Sequence, residues 1–179
     1  NSKEPITITL TDKFPNTNAF KHLKEKNNNQ IEFLDDSIDA KNVPKDLKGL
    51  RTMFSAIHHF DPDTIIKILK NSVEHNAGIC FFDGGDKNIF TIFGIIMFHP
   101  IAFLLCTPFF KPFKFSRLFF TYVIPLIPLT TVWDGCVSIL RLYSPNELLG
   151  FAKQVEDNNY IWNSGKVRNK LGMNITYLI

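Results

Sequence analysis

The sequence is short of the residues that define several familiar protein classes. It has only three cysteines, Cys80, Cys106 and Cys136, and no two of them have the C-x-x-C spacing of metal and redox sites. All three lie in apolar stretches, so we expect buried free thiols in a reducing compartment. The formal net charge is only +3 and the basic residues are scattered, so we expect no nucleic-acid partner.

The first 48 residues lack glycine, and the opening does not have the pattern of a secretory signal, whereas phenylalanine is abundant. The chain has nine glycines, the first of them Gly49. The opening NSKEPITITL has neither the basic start nor the long apolar run of a secretory signal, so we expect a cytoplasmic protein. Against 4 Tyr and 2 Trp stand 18 Phe, and so much apolar ring surface requires a core, a lipid or an apolar ligand to cover it.

The first half of the chain has the pattern of an α/β fold. Apolar, β-branched runs at residues 6–10, 31–34, 50–57 and 79–82 predict strands. Helix-start signals at 15–17 and at Asp61-Pro62 predict two helices between them. Most of these strands are continuous apolar runs that end in polar residues, which is typical of a parallel sheet covered on both faces.

Polar residues follow each predicted strand. They are Asp12, Asp39, His58 with His59, and Asp83. Ligands of open α/β sheets bind beyond the carboxyl ends of the strands, so these residues form a candidate binding edge.

The paired histidines allow several interpretations. His58 and His59 are candidates for catalytic bases, because the unperturbed pKa of histidine suits proton transfer near neutral pH. They are equally compatible with packing and capping at a strand end, with only His58 facing the cleft. We expect no metal site, since adjacent side chains diverge and no third ligand stands at a usual spacing.

The middle of the chain is far more apolar than the rest. Residues 89–110 contain no formal charge, and a second apolar run covers 118–132. The first run is long enough for a membrane span. We favour a helical cap that is either buried or lying in a membrane surface. Lys111, Lys114 and Arg117 interrupt the two runs and suit either a solvated rim or contact with lipid headgroups or phosphate.

The remaining third returns to an ordinary globular texture. The stretch from Thr131 to Leu148 carries Trp133, Asp134, Arg141 and Tyr143, which suit a substrate pocket, with an Asp–Arg structural pair as the equal alternative. Ser144-Pro145-Asn146-Glu147 predicts a capped helix. The tail predicts two strands around a Gly-containing turn.

Taken in order, several stretches resemble class I S-adenosylmethionine-dependent methyltransferases. They are TLTDKFPN, DSIDAKNVP, RTMFSAIHHFDPD, ICFFDGG, FTYVIPLIPLTTVWDGCVSILRLYSPNEL and the final hairpin. The resemblance implies one domain over 1–179. It implies a Rossmann-like methyltransferase sheet, incomplete at its N-terminus, with an apolar helical insertion or cap at 86–132 and a C-terminal antiparallel hairpin.

The resemblance also implies site residues, residue by residue. Asp12, with Lys13 beside it, would hold the ribose of S-adenosyl-L-methionine, and Asp39 and Ala40 its adenine. Phe54, Ser55, His58 and His59 would line the wall near the transferred methyl group. The expected substrate is a small-molecule or lipid-like acceptor, and the residues expected to line its pocket are Tyr122, Trp133, Asp134, Arg141 and Tyr143. We also expect a peripheral membrane contact through 89–132.

One feature departs from that family. Its Gly-rich loop should follow a strand that precedes Asp12, yet only 11 residues precede Asp12 and none is Gly. The chain would then be the carboxyl-terminal portion of the domain, with a free apolar edge where the first strand belongs. Two alternatives stay open, a non-catalytic interaction module on the same fold and a small membrane-associated protein.

Overall fold

A computed structural model of the chain describes residues 6–27, 30–155, 160–170 and 172–179. It is an α/β structure with two mixed groups of strands and helices. Within these residues the strands are β1 Ile8–Asp12, β2 Ile31–Ser37, β3 Arg51–Phe54, β4 Ile79–Gly84, β5 Ser164–Arg168 and β6 Asn174–Leu178. The α-helices there are α1 Thr17–Lys26, α2 Pro62–Glu74, α3 Ile89–Cys106, α4 Phe115–Leu118, α5 Leu126–Arg141 and α6 Pro145–Ala152.

The amino-terminal unit is a small parallel β-α-β unit. β1 and β2 pair in parallel to form a two-stranded sheet. The connecting helix α1 begins at Thr17 because the Asn16 side chain accepts a hydrogen bond from the Ala19 N–H at 3.1 Å. This cap satisfies one of the N–H groups that a helix start leaves unpaired.

The second sheet has four strands in the order β3-β4-β6-β5. β3 and β4 are parallel, with Met53 opposite Phe81. β6 runs antiparallel to β4 and forms a hairpin with β5. Within the described residues, β1 and β3 each pair with one strand only, so each of them has an unpaired edge.

The main core lies between the second sheet and two helices. α2 begins with Asp61 as its cap and Pro62 at its first position, a combination that suits a helix start. Its buried face packs with β4, β6 and α6. The core residues are Ile57, Ile65, Ile68, Leu69, Ile79, Phe81, Leu148, Ala152 and Leu178.

The two sheets with α1, α2 and α6 are called the body below. After β4 the chain continues into a helical arm, defined here as residues 89–141. α3 and α5 pack against each other along the arm, and Gly135 permits their close approach, because a Cβ there would lie 3.1 Å from Ile95 Cγ2. Between them, α4 continues into a π-helical turn, Phe119–Val123. α3 has no buried residue. At the C-terminal end of α5, called the root of the arm below, Ile139 and Leu142 are buried.

The arm contains one helix that is long and apolar enough to cross a membrane. It covers Ile89–Phe109, with a mean hydropathy of 2.3 and none of its apolar window buried. A second such segment would exist only if Phe115–Val123 and Leu126–Arg141 formed one span, but they meet at 77°.

Most elements predicted from the sequence are confirmed, and four expectations need correction. The strand predicted at 50–57 ends at Phe54, and a 3₁₀ turn, Ile57–His59, carries the histidines instead. The strands form two sheets rather than one. The buried version of the cap is wrong, because α3 is exposed. Cys80 is buried, but Cys106 is exposed and Cys136 is half-buried.

Candidate functional site

A buried histidine–aspartate pair joins the ends of the two parallel strands β3 and β4. His58 Nδ1 lies 2.8 Å from Asp83 Oδ2 and 3.0 Å from Oδ1. The His58 backbone N–H also donates to Asp83 Oδ2, at 3.1 Å. Both side chains are largely buried, at 10% and 4% exposure, so the carboxylate fixes the position of the imidazole ring.

The pairing assigns different roles to the two nitrogens of His58. A carboxylate only accepts hydrogen bonds when ionised, so His58 Nδ1 carries the shared proton. In the neutral ring Nε2 is then left as a proton acceptor. The 3₁₀ turn after β3 makes this arrangement, because it folds the histidines back over the end of β4, where Asp83 is buried.

His59 lies beside His58, with the ring centroids 4.1 Å apart, but it is exposed to solvent. The two histidines line a common cavity of about 480 Å³. Of the alternatives above, the one in which His59 packs beneath the loop and only His58 faces the cleft is therefore wrong, because His59 is the more exposed of the two.

The other side of this histidine cavity is formed by the root of the helical arm. Arg141 and Tyr143 line it, together with Asp61, Lys87 and Glu147. The Tyr143 hydroxyl donates to the Phe60 carbonyl at 2.8 Å. Burial raises the pKa of Tyr143, and the carboxylates of Asp61 and Glu147 raise it further, so Tyr143 remains a neutral donor.

Glu147 serves the structure at this cavity. Its carboxylate accepts from the Ser144 N–H and hydroxyl, at 2.8 and 2.7 Å. These hydrogen bonds hold the pKa of Glu147 below its usual value and complete the predicted capping box of α6. Lys87 and Arg141 line the same cavity, as does the carboxylate-bearing Asp61.

Phe54 and Ser55 lie at a second cavity of about 430 Å³, with Phe82, Gly84 and Gly85 among its lining residues. The Phe54 ring is exposed and stacks on Phe82 at 5.2 Å. Ser55 has a positive φ of 49°, an uncommon conformation for a non-glycine residue that often marks functional turns. The structure thus divides the predicted wall of residues 54–59 between two cavities.

The predicted cofactor residues of the amino-terminal unit come together at the ends of β1 and β2. Asp39 Oδ2 lies 3.0 Å from Lys13 Nζ, and Asp39 Oδ1 accepts from the Lys41 N–H at 3.0 Å. The Lys41 N–H and then the Lys13 ammonium lower the pKa of Asp39. Ala40 packs against the main core.

Asp12 is more accessible than Asp39. Its Oδ1 accepts from the Phe14 N–H at 2.7 Å, and the residue is exposed. One carboxylate oxygen of Asp12 is unused by the Phe14 N–H. Asp39 Oδ2 is paired with the Lys13 ammonium, but a carboxylate oxygen can accept more than one hydrogen bond. The roles of Asp12 at the ribose and of Asp39 at the adenine therefore stay predictions.

Three predicted substrate residues lie elsewhere. Tyr122 is in the arm, where its hydroxyl donates to the Leu104 carbonyl. Trp133 is 74% exposed and the neighbouring Asp134 is also exposed, both on the outward side of α5. None of the three lines either cavity, and among the described residues no ion pair joins Asp134 to Arg141.

Sequence reasoning placed Asp83 on the binding edge but did not pair it with His58, and it missed Lys87. The pairing of Asp83 with His58 could have been predicted, because β3 and β4 are adjacent parallel strands whose carboxyl ends must lie side by side. An acid that follows one strand and a histidine that follows the other are then natural partners. The contribution of Lys87 depends on the path of the chain after β4, which the sequence pattern leaves open.

The arrangement is suited to moving one proton at a partly enclosed site. His58 Nε2 can accept a proton, and the cavity lining carries two basic side chains, Lys87 and Arg141, and two acidic ones, Asp61 and Glu147. No protein-family model matches the sequence, and no curated protein matches it.

Proposed function

We propose that the chain is the acceptor-binding portion of an S-adenosylmethionine-dependent methyltransferase, with His58 as the general base for an apolar or lipid-like acceptor. The observation that carries the proposal is the buried His58–Asp83 pair at the carboxyl ends of two parallel strands, open to a cavity of about 480 Å³. A site beyond such strand ends is the usual location of ligands in α/β sheets.

The strand arrangement supports the same proposal. The resemblance implies a parallel sheet that ends in an antiparallel hairpin and whose central first strand is missing. β6 and β5 are such a hairpin, and the sheet is divided between β1 and β3, each with one paired neighbour among the described residues. The unpaired edges of β1 and β3 are positions at which a further strand could pair.

When bound, S-adenosyl-L-methionine supplies an electrophilic methyl group on a sulfonium sulfur. The residues of this chain act on the acceptor. An acceptor that arrives protonated needs a base, and His58 Nε2 takes that proton while Asp83 holds Nδ1–H. Tyr143 packs against Phe151 and is tied to Phe60, so it forms a fixed wall against which the acceptor is aligned.

The ion pair between Lys13 and Asp39 favours a second candidate, a non-catalytic interaction module on the same fold. In that case the pair is a permanent structural contact and no adenine displaces it. Cofactor binding separates the two candidates, because only the methyltransferase requires it.

The first experiment is a calorimetric titration of S-adenosylhomocysteine into the 179-residue chain and into the full product of its reading frame. We expect binding by the full product and its loss in Asp12→Ala. If both forms are folded and neither binds, the methyltransferase proposal is overturned and the interaction module takes its place.

The second experiment tests the base. Transfer of labelled methyl groups to a membrane lipid extract is compared for the native protein, His58→Gln and His22→Gln. We expect His58→Gln to reduce the rate by about 10²- to 10⁴-fold, the usual contribution of a general base. His22 is an exposed histidine on α1, so its substitution should leave the rate unchanged. Equal rates in both variants contradict a role for His58 as base.

A further inference from the structure

The helical arm presents a large apolar surface that nothing in the described part of the chain covers. On α3 the large outward residues are Phe90, Phe93, Met97, Phe98, Ile101 and Leu105, each roughly half exposed or more. A helix that is apolar on all sides and remains unburied by protein requires another apolar medium.

Three hydroxyl groups of the arm are bonded to its own backbone, as an apolar medium requires. The Thr107 hydroxyl donates to the Phe103 carbonyl at 2.6 Å. The Thr121 hydroxyl donates to the Arg117 carbonyl at 2.8 Å, and Tyr122 donates to Leu104. These hydroxyl groups therefore lose little hydrogen bonding when water leaves the surface, whereas His99 Nδ1 is buried without a hydrogen-bond partner.

Positive charge lies at the far end of this apolar arm. Lys111 and Lys114 are exposed in the turn between α3 and α4. Arg117 donates to the Phe110 carbonyl at 2.7 Å and lies over the Phe110 ring. α3 alone is about 27 Å long, so this tip is well separated from Lys87 and Arg141 at the root. Basic residues beside aromatic rings are complementary to anionic headgroups above hydrocarbon.

We propose that the helical arm lies in the surface of an anionic membrane, with α3 immersed in the acyl region and the side of α5 that carries Thr130 and Asp134 facing water. The exposed Leu129 and Trp133 of α5 then lie at the boundary with the lipid. The tip residues Lys111 and Lys114 then contact lipid phosphates. The arm docks the body on the bilayer, with the histidine cavity at its root. This proposal does not depend on methyl transfer.

Asp134 decides between lying in the membrane surface and crossing it. It stands on the exposed side of α5, seven residues before Arg141 and eight after Leu126. A crossing arm would carry this carboxylate near the middle of the bilayer, which disfavours insertion roughly a hundredfold. In the surface orientation Asp134 reaches water and Trp133 lies at the boundary, where tryptophan is enriched in membrane proteins.

The test is sedimentation of the full chain with phosphatidylcholine vesicles that do or do not contain phosphatidylserine. We expect binding to the anionic vesicles. The double variant Lys111→Gln/Lys114→Gln should weaken it about 30-fold, from about tenfold per 1.4 kcal/mol and about 1 kcal/mol for each lysine. The matched control is Lys45→Gln/Lys48→Gln, two exposed lysines of the body, which should bind like the native chain.

The apolar contribution is tested with Phe98→Asn/Ile101→Asn. Both residues are exposed, so the variant keeps its fold, and we expect binding to fall at least tenfold. Native-like vesicle binding by this variant, or equal loss in the tip and control lysine variants, overturns the proposal.

The orientation is tested with a thiol reagent that does not cross membranes. Cys106 is exposed on α3, and we expect anionic vesicles to protect it. In Thr130→Cys the new thiol, one turn from Asp134 on α5, should remain reactive. Protection of both thiols would mean a crossing arm. Protection of Cys106 without vesicles would mean that a second copy covers the arm. Either result overturns the surface orientation.

Discussion

The body and the helical arm use the same kind of residue in opposite ways. In the body, Phe81 is 1% exposed at the centre of β4, surrounded by residues of α2, α6 and β6. In the arm, Phe98 is 69% exposed on α3. The two phenylalanines are 17 residues apart, so the local apolar character of the sequence does not determine whether a side chain is buried in protein.

The difference arises from periodicity and from neighbours. The apolar residues of α2 share one face, and that face is covered by a sheet and a second helix. The apolar residues of α3 surround the helix, and most of its packing comes from α5 and from the short helical turns near the tip. A helix that is apolar on all sides needs more cover than a single neighbour provides. The body is thus a protein core, whereas the arm is a surface for another medium.

The test with the largest expected effect replaces one phenylalanine by alanine in each region. Phe81→Ala should destabilise the protein by about 3–5 kcal/mol, because it leaves a cavity in a packed core. Phe98→Ala should change the free energy of unfolding by less than about 0.5 kcal/mol, because the side chain has little to lose in water. Urea denaturation in the absence of lipid measures both changes. A large loss from Phe98→Ala would show that the arm is covered by protein in solution.

A second test compares two aspartates. Asp83→Asn should cost about 1.5–3 kcal/mol, because a buried charge-assisted hydrogen bond to His58 is lost. Asp134→Asn, on the exposed side of α5, should be close to neutral in stability. The same denaturation experiment measures both substitutions. Equal effects would mean that Asp83 is not specifically tied to His58.

Much of the fold could be predicted from the sequence, because the signals are local. The caps at Asn16, Asp61 and Ser144 marked helix starts, and the structure contains all three. The split into two sheets is not a local property, since it depends on which strand edges meet. The end of β3 was predicted too late, because the apolar run continues to Ile57. The buried Ile57 belongs instead to the 3₁₀ turn that follows the strand.

The candidate site was predictable to a smaller extent. Arg141 and Tyr143 reach the histidine cavity because Arg141 ends α5 and Tyr143 lies in the short connection to α6. Trp133 and Asp134 belong to the same helix, yet they point outward two turns earlier. The sequence pattern places residues on a helix, but the side that faces a cavity depends on how the helix packs.

A third test uses two glycines of the arm. Nothing lies within 4 Å of a Cβ at Gly94, whereas a Cβ at Gly135 would lie 3.1 Å from Ile95 Cγ2. Gly94→Ala should stabilise its helix by about 0.5–1 kcal/mol through the backbone. Gly135→Ala should gain less, because the contact between α3 and α5 tightens. Hydrogen exchange of α3 amides measures the difference, and the amides of β4 should be unaffected by either change. An equal gain at both positions would mean that the two helices are not closely packed.

The smallest expected effect concerns Asp39, which follows β2 in the amino-terminal unit. Its pKa is lowered in the folded chain by the Lys41 N–H and the Lys13 ammonium, so its ionised form stabilises the fold. That contribution is present above the unfolded pKa of aspartate and is lost as the pH falls through the lower folded pKa.

Asp39→Asn should therefore cost less than about 1 kcal/mol at neutral pH, as expected for a partly exposed pair, and the difference should vanish in acid. Urea denaturation across the acid range measures this, with the exposed Asp36→Asn as the control. A difference independent of pH would contradict the ion pair. The native chain and Lys13→Ala are also compared with and without S-adenosylhomocysteine. If the ligand abolishes their difference in free energy of unfolding, it displaces Lys13, and the ends of β1 and β2 form a binding site. If the difference persists at saturating ligand, the pair between Lys13 and Asp39 is a structural contact that the ligand does not displace.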